Sequence, residues 1–178
     1  MLKVYAQYDR TDFSLYEGDE RRLFALGEDN VYFNSTFRRR ATDGWEWFGG
    51  VAYSHYSRQI GGAAVAGDHW REQQQEWHLK AKTGKRFLPT FRMEAGMEGF
   101  FRHYEDAYAF ASVGVDSRNR ISPTIGAGFL SAVYYPWESL KAELSCRTEY
   151  VSAGRTWNFS PRVALNYYRD HWMFSATA

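Results

Sequence analysis

The strongest constraint on the fold of this chain is an alternation of apolar and polar residues with a period of two. In residues 141–151, one parity is mostly apolar: Ala142, Leu144, Cys146, Thr148 and Tyr150. The other parity is polar and mostly charged: Lys141, Glu143, Ser145, Arg147 and Glu149. Residues 74–84, 90–104 and 157–168 alternate in the same way. A strand places two such sets on opposite faces, whereas helical spacing would mix them, so the pattern predicts β-strands.

Six further segments are rich in Tyr, Phe, Trp and Val but alternate less cleanly: 2–8, 30–40, 45–58, 108–116, 124–135 and 172–177. Turn signals separate the strand candidates at 41–44, 84–86, 116–119, 136–139 and 169–171. No segment is a convincing helix. The sequence therefore predicts an all-β fold, an antiparallel meander of roughly ten strands that forms a single β-barrel domain, fragment-like, over residues 1–178.

The connections between the early segments alternate in length. Long connections are expected at 9–29 and 59–73, and short ones at 41–44 and 85–89. This rhythm is typical of a barrel with one loop-rich rim.

The composition excludes several classes of protein. Aromatic residues make up 19% of the 178 residues, which argues against disorder. The 22 Lys and Arg residues balance the 21 Asp and Glu residues, so no basic excess indicates a nucleic-acid partner. The single cysteine, Cys146, excludes an internal disulfide and thiolate zinc clusters. No apolar run approaches the ~18 residues of a membrane helix, and residues 1–10 lack the apolar segment of a signal peptide.

A meander of amphipathic strands must shelter its apolar face from water, either inside a soluble barrel or sandwich or against lipid. Three features favour lipid. The strands with an apolar face are ~9–11 residues long, which is long enough for a tilted strand to cross a bilayer. Aromatic residues cluster near strand ends, as at Tyr134, Tyr135 and Trp137. The polar parity carries both signs of charge at i, i+2 spacing, which facing strands of a lumen could pair.

We therefore predict a transmembrane β-barrel, or part of one, in the outer membrane of a Gram-negative bacterium, with outer-membrane lipid around it. Two alternatives stay open at this point. One is a soluble β-barrel that binds a small ligand. The other is a small outer-membrane barrel with a structural or enzymatic role.

The charged residues of the polar parity are the candidate ligand-binding residues, because they would face the lumen of such a barrel: Arg92, Glu94, Glu98, Arg102, Lys141, Glu143, Arg147 and Glu149. The five histidines lie in different segments without the spacing of a metal site, so no metal or other cofactor is expected. Ser54 and His55 are adjacent and would point to opposite faces of a strand, which is poor geometry for a catalytic relay. We expect no enzymatic activity.

One stretch resembles a recurrent barrel segment of TonB-dependent outer-membrane receptors. In those proteins a Ser/Asn-Pro-Arg strand ends at a Tyr, turns tightly and restarts at a Trp. Here Ser160-Pro161-Arg162 begins such a strand, Tyr167-Tyr168 ends it, and Trp172 follows. Residues 75–81 and 93–104 also look like barrel strands of these receptors, so that the resemblance covers about the last two-thirds of the chain.

The resemblance implies a role in energised uptake of a scarce nutrient, namely an iron chelate, cobalamin or a glycan. The energy would come from an inner-membrane TonB complex, which such receptors contact through an N-terminal plug domain. Because no plug or TonB-box segment is recognisable in the 178 residues, we expect an internal slice of a receptor barrel, with transport belonging to the whole receptor.

Overall fold

The structure, a computed structural model, describes residues 1–18, 21–62, 68–111, 113–169 and 171–178. All of its regular elements are strands of one antiparallel sheet: β1 Leu2–Glu17, β2 Arg21–Arg40, β3 Trp45–Gly62, β4 His69–Leu88, β5 Phe91–Phe110, β6 Val115–Ile121, β7 Thr124–Trp137, β8 Leu140–Val151, β9 Thr156–Arg169 and β10 Trp172–Thr177. The all-β meander of ten strands is confirmed. None of the described residues belongs to a helix long and apolar enough to cross a membrane.

Each strand pairs with the next along the chain, except that β6 and β7 share one edge of β5. Both keep the same register against β5, from Phe91↔Tyr134 at one end to Phe110↔Val115 at the other. Pro123 lies between them, where it has no N–H to give to the ladder, and its carbonyl accepts a 3.1 Å hydrogen bond from the Arg102 N–H. β6 and β7 thus form one interrupted strand, and β1 and β10 are the two ends of the sheet.

The strands of the first half are longer than the sequence indicates. Most of the predicted connections 9–29 and 59–73 is strand, and the predicted turns at 84–86 and 116–119 lie inside β4 and β6. The reason is physical: in these extensions both faces carry polar residues, so the hydrophobic alternation that marks a strand disappears. Residues 19–20 and 63–67 lie outside the described residues.

The two rims of the sheet differ. At the rim that we call the short-turn rim, the strands are joined by residues 41–44, 89–90 and 138–139, and β9 ends and β10 begins at the same rim. At the opposite rim, the tall rim, β2 to β5 extend well past the end of β8 and β9. In the first short turn, Gly44 has φ +85° and donates its N–H to the Ala41 carbonyl at 3.3 Å, a backbone conformation that favours glycine.

The register gives the sheet one apolar and one polar face. Leu79, Gly99 and Gly126 are register partners on neighbouring strands, and all three lie on the apolar face. On that face lie the following large side chains: Leu2, Val4, Phe33, Phe37, Trp47, Val51, Tyr53, Trp77, Leu79, Met97, Phe101, Leu130, Leu144, Phe159, Val163 and Leu165. In β4 this band runs from Trp77 to Lys85, about 27 Å along the strand, which at a tilt of ~40° spans about 21 Å.

Exposure on the two faces is the reverse of that in a water-soluble protein. Met97 on the apolar face is 66% exposed and Leu144 is 60% exposed, whereas the side chain of Glu98 on the polar face is 9% exposed. The only buried hydrophobic side chains among the described residues are two alanines, Ala127 and Ala164. The large apolar side chains therefore point away from the sheet, and the charged ones crowd together, as in the wall of a membrane barrel.

A substitution at Leu144 tests this assignment of faces. Leu144→Arg places a charge at mid-strand on the apolar face and should lower the free energy of unfolding in bilayers by about 2–4 kcal/mol. The matched control is Asn158→Arg on the polar face, where the new cation lies directly opposite Glu149. Denaturant titration of both variants in lipid vesicles measures the difference, and equal costs would contradict the assignment.

Candidate functional site

All eight candidate residues from the sequence lie on the polar face. Arg92, Glu94, Glu98 and Arg102 come from β5, and Lys141, Glu143, Arg147 and Glu149 come from β8. β7 runs between these two strands. The residue of β7 directly opposite Glu98 is Ala127, which is small and buried. Because Ala127 leaves room above it, the long side chain of Arg147 reaches across β7 to Glu98. Whether any of the eight binds a ligand stays a prediction.

Glu98 is the centre of the first charged cluster. Its carboxylate accepts a hydrogen bond from Lys80 of β4 and another from Nη1 of Arg147 at 2.8 Å. Nη2 of Arg147 also contacts Glu149 at 3.3 Å, so the cluster joins three strands of the sheet. Charge-assisted hydrogen bonds of this kind are the strongest that side chains make in a protein, and two of them hold the most sheltered carboxylate on this face.

A second cluster lies nearer the short-turn rim and is centred on Glu46 and Glu94. Glu46 of β3 contacts Arg40 at 2.9 Å and Arg92 at 3.0 Å. Glu94 contacts Lys82 at 2.9 Å and Arg92 at 3.3 Å. Three cations therefore share two carboxylates, and the chain of contacts joins β2 to β5.

Phe129 fills the gap between the two clusters. It lies directly opposite Gly96 of β5, and a Cβ at Gly96 would be 2.5 Å from the Phe129 ring. Glycine at position 96 is therefore required for the ring to lie flat over the strand, and this aromatic cover shields the backbone between the charged groups.

Four residues of these clusters were not among the sequence candidates: Arg40, Glu46, Lys80 and Lys82. Lys80 and Lys82 belong to the polar parity of residues 74–84, so the alternation did place them on this face. Glu46 begins a segment whose alternation is weak, and only its register opposite Arg40 and Gly84 shows that it joins the cluster.

Charge is distributed unevenly along the polar face. Between the register partners of Glu98 and the short-turn rim, the polar face carries ten cations and five carboxylates. The cations are Lys3, Arg38, Arg40, Lys80, Lys82, Arg86, Arg92, Lys141, Arg147 and Arg162, and the carboxylates are Glu46, Glu94, Glu98, Glu143 and Glu149. Farther toward the tall rim, between the register partners of His78 and those of Trp70, acidic residues outnumber basic ones on the polar face. This part of the strands carries two cations, Arg58 and Arg102, and five carboxylates, Asp9, Glu28, Glu72, Glu76 and Asp106.

Polar contacts also stabilise the tall extensions. Arg102 pairs with Glu76, and Trp70 donates to Asp106. On the other side of the sheet, Glu105 accepts hydrogen bonds from Arg120 and Arg118, and these bonds hold the pKa of the Glu105 carboxyl below its usual value. Ion pairs on both faces are possible only where both faces meet water, so this part of the sheet lies beyond the apolar band.

Across the described ranges, no group of three or more His, Cys, Asp or Glu side chains has the geometry of a metal site. The polar face thus offers charge and hydrogen bonds to a solute. In the part of the chain that the structure describes, some of its ion pairs lie within one strand and others join adjacent or next-nearest strands.

Comparison with solved structures agrees with this geometry. The outer membrane transporter YddB from Escherichia coli superposes with a TM-score of 0.71 over 93% of this chain, at 10% sequence identity. The fold is that of an outer-membrane barrel wall. The chain spans 27% of the length of the YddB chain, so that it corresponds to part of that barrel. The outer-membrane location predicted from the sequence agrees with this fold.

The translocator domain of the autotransporter NalP from Neisseria meningitidis also matches, with a TM-score of 0.43 and 14% identity over 99% of this chain and 73% of that one. No family model matches the sequence, and no curated protein matches it either.

The Glu98 cluster yields a prediction for stability. Glu98→Gln leaves Lys80 and Arg147 facing a neutral amide in a sheltered place and should destabilise the sheet by about 1–3 kcal/mol. Glu143→Gln is the control, because among the described residues Glu143 forms one ion pair, with Lys141, and is more exposed, so the change should cost less than about 1 kcal/mol. Denaturant unfolding in detergent micelles compares the two, and a Glu143 cost equal to the Glu98 cost would contradict the central role of Glu98.

Proposed function

We propose that this chain is part of the barrel of an outer-membrane receptor that imports a scarce nutrient, an iron chelate, cobalamin or a glycan, with energy from a TonB complex. In this proposal the apolar face contacts lipid and the polar face lines the lumen. The chain has no catalytic role, and its eight candidate residues contact the solute or whatever fills the lumen.

The observation that carries the proposal is the reversed exposure of the two faces. A ten-stranded sheet that exposes Met97 and Leu144 while sheltering Glu98 is stable only where lipid covers the first face. The fold shared with an outer membrane transporter supports the transport role. The strand-turn-strand segment of β9 and β10, which restarts at Trp172, supports the receptor family.

The rims give the proposed orientation. Outer-membrane barrels have short turns on the periplasmic side and long extensions on the outside. The short-turn rim is therefore assigned to the periplasm and the tall rim to the cell exterior. The acidic part of the polar face then lies at the outer end of the lumen and the cationic part within the membrane.

The free edges of β1 and β10 determine how the sheet is used. In lipid, unpaired backbone N–H and C=O groups are too costly to persist, so both edges must be paired in the membrane. We propose that further strands of a longer receptor pair with them, and that a plug domain of that receptor connects the barrel to the TonB complex.

Uptake by whole cells tests this function. The bacterium and its deletion strain for this gene are each given radiolabelled ferric citrate, cyanocobalamin or maltotriose, with and without an uncoupler of the proton-motive force. We expect uptake of one of the three to fall to background both on deletion and with the uncoupler. Uptake that depends on the gene but not on the uncoupler would contradict energised transport, and uptake independent of the gene would contradict the role as a whole.

A further inference from the structure

Two arginines lie directly opposite each other at the short-turn rim of the polar face. Arg86 of β4 and Arg92 of β5 are register partners, and like charges in that arrangement destabilise a sheet unless an opposite charge compensates them. Arg92 is compensated, because its Nη2 lies 3.0 Å from Glu46 and 3.3 Å from Glu94. Arg86 is exposed, and none of the ion pairs within the described ranges includes it.

Two hollows flank this pair, and both arginines line both of them. The hollow on the β3 side has a volume of about 400 Å³ and is also lined by Arg40 and Glu46. The hollow toward β7 and β8 has a volume of about 330 Å³ and adds Lys141, Ser131 and Tyr135, together with the carboxylates Glu94 and Glu143. Glu143 contacts Lys141 and Glu94 contacts Arg92, so Arg86 is the cation of this hollow for which the structure gives no ion pair. Hydroxyl groups can donate hydrogen bonds to an anion, so Ser131 and Tyr135 add neutral donors near Arg86.

Glycine keeps the floor of the site open. Gly84 is buried between Glu46 and Glu94 in the register, and it lines the hollow on the β3 side. A Cβ at Gly84 would lie 3.3 Å from the Met93 carbonyl oxygen and 3.5 Å from Nη2 of Arg92. A Cβ here would be tight against the Met93 carbonyl and in van der Waals contact with Arg92, so glycine leaves free the space beside the Arg92 guanidinium.

We propose that Arg86 and Arg92 form an oxyanion site that takes a carboxylate or phosphate group of the transported solute. The inference rests on the proposed function, since it needs the polar face to line a lumen. Planar guanidinium groups bind such oxyanions through paired hydrogen bonds, and two of them side by side suit a solute that carries more than one anionic group.

The position of the site gives its role in transport. It lies at the short-turn rim, the end of the lumen farthest from the acidic tall extensions. The solute therefore reaches it late, after passing Glu76 and Asp106, and the site holds the solute on the release side of the barrel. The transported solute is thus a small polyanion, which among the three nutrient classes favours a carboxylate-bearing chelate.

Binding of citrate tests the site. The full-length protein that contains this chain is folded in detergent micelles and titrated with iron-free trisodium citrate by calorimetry, with neutral maltotriose as the reference solute. We expect saturable citrate binding and none of maltotriose. Arg86→Gln should weaken citrate binding at least tenfold. Arg39→Gln removes the same charge from the same rim but on the apolar face, and should change the affinity less than twofold.

A second variant, which is expected to strengthen citrate binding, separates a change at the site from a loss of folding. Glu94→Gln removes a carboxylate that competes for Arg92, so citrate binding should become several-fold tighter. Circular dichroism confirms that each variant is folded. Folded protein that does not bind citrate, or that binds it equally well with Arg86→Gln, overturns the inference. Energised uptake of one of the labelled nutrients would still stand in that case, so this failure is distinguishable from a failure of the proposed function.

Discussion

The constraint on which the structure depends is that the sheet has to satisfy two solvents at once, lipid on one face and polar surroundings on the other. Within the membrane, every backbone hydrogen bond must be made between strands, because lipid supplies no partners. The antiparallel pairing of the strands meets that demand, and the register then fixes which side chains meet lipid. A slip of one residue in β8 would bring Lys141 and Arg147 to the lipid and Leu144 to the polar face.

The ion pairs follow from the same constraint. A sheltered charge on the polar face, such as Glu98, needs partners, and these come from the adjacent strand β4 and from β8 beyond β7. Where β7 separates two charged strands, the small Ala127 lets Arg147 reach Glu98. Arg86 has no such partner, because the residue opposite it on β5 is another arginine. Ten cations face five carboxylates in this part of the polar face, so several cations are in no ion pair of the described residues, and at Arg86 a solute can supply the missing negative charge.

Much of this architecture follows from the sequence, and the rest does not for identifiable reasons. Alternation in residues 141–151 predicts β8 and the faces of Glu143 and Arg147, because one face is mostly apolar and the other is mostly charged. Residues 69–73 of β4 could not be found this way, because Trp70 is the one apolar residue among them and no alternation results. Pairing partners are equally hidden, since nothing local indicates that Arg147 reaches past β7 or that Glu46 lies opposite Arg40. The uneven distribution of charge along the polar face becomes visible only when the nine strands that follow one another across the sheet are aligned by their register.

Contact between Cys146 and lipid tests the central claim most directly. Cys146 is the single cysteine, and it lies at mid-strand on the apolar face, opposite Leu130. A small fluorophore attached to it in the full-length protein in bilayers should be quenched strongly by lipids labelled deep in the acyl chain and weakly by lipids labelled at the headgroup. A fluorophore on the polar face, at Arg147→Cys in a Cys146→Ser background, should instead respond to an aqueous quencher. If the Cys146 probe in the folded protein ignores the deep lipid labels, the apolar face points inward and the membrane-wall account is wrong.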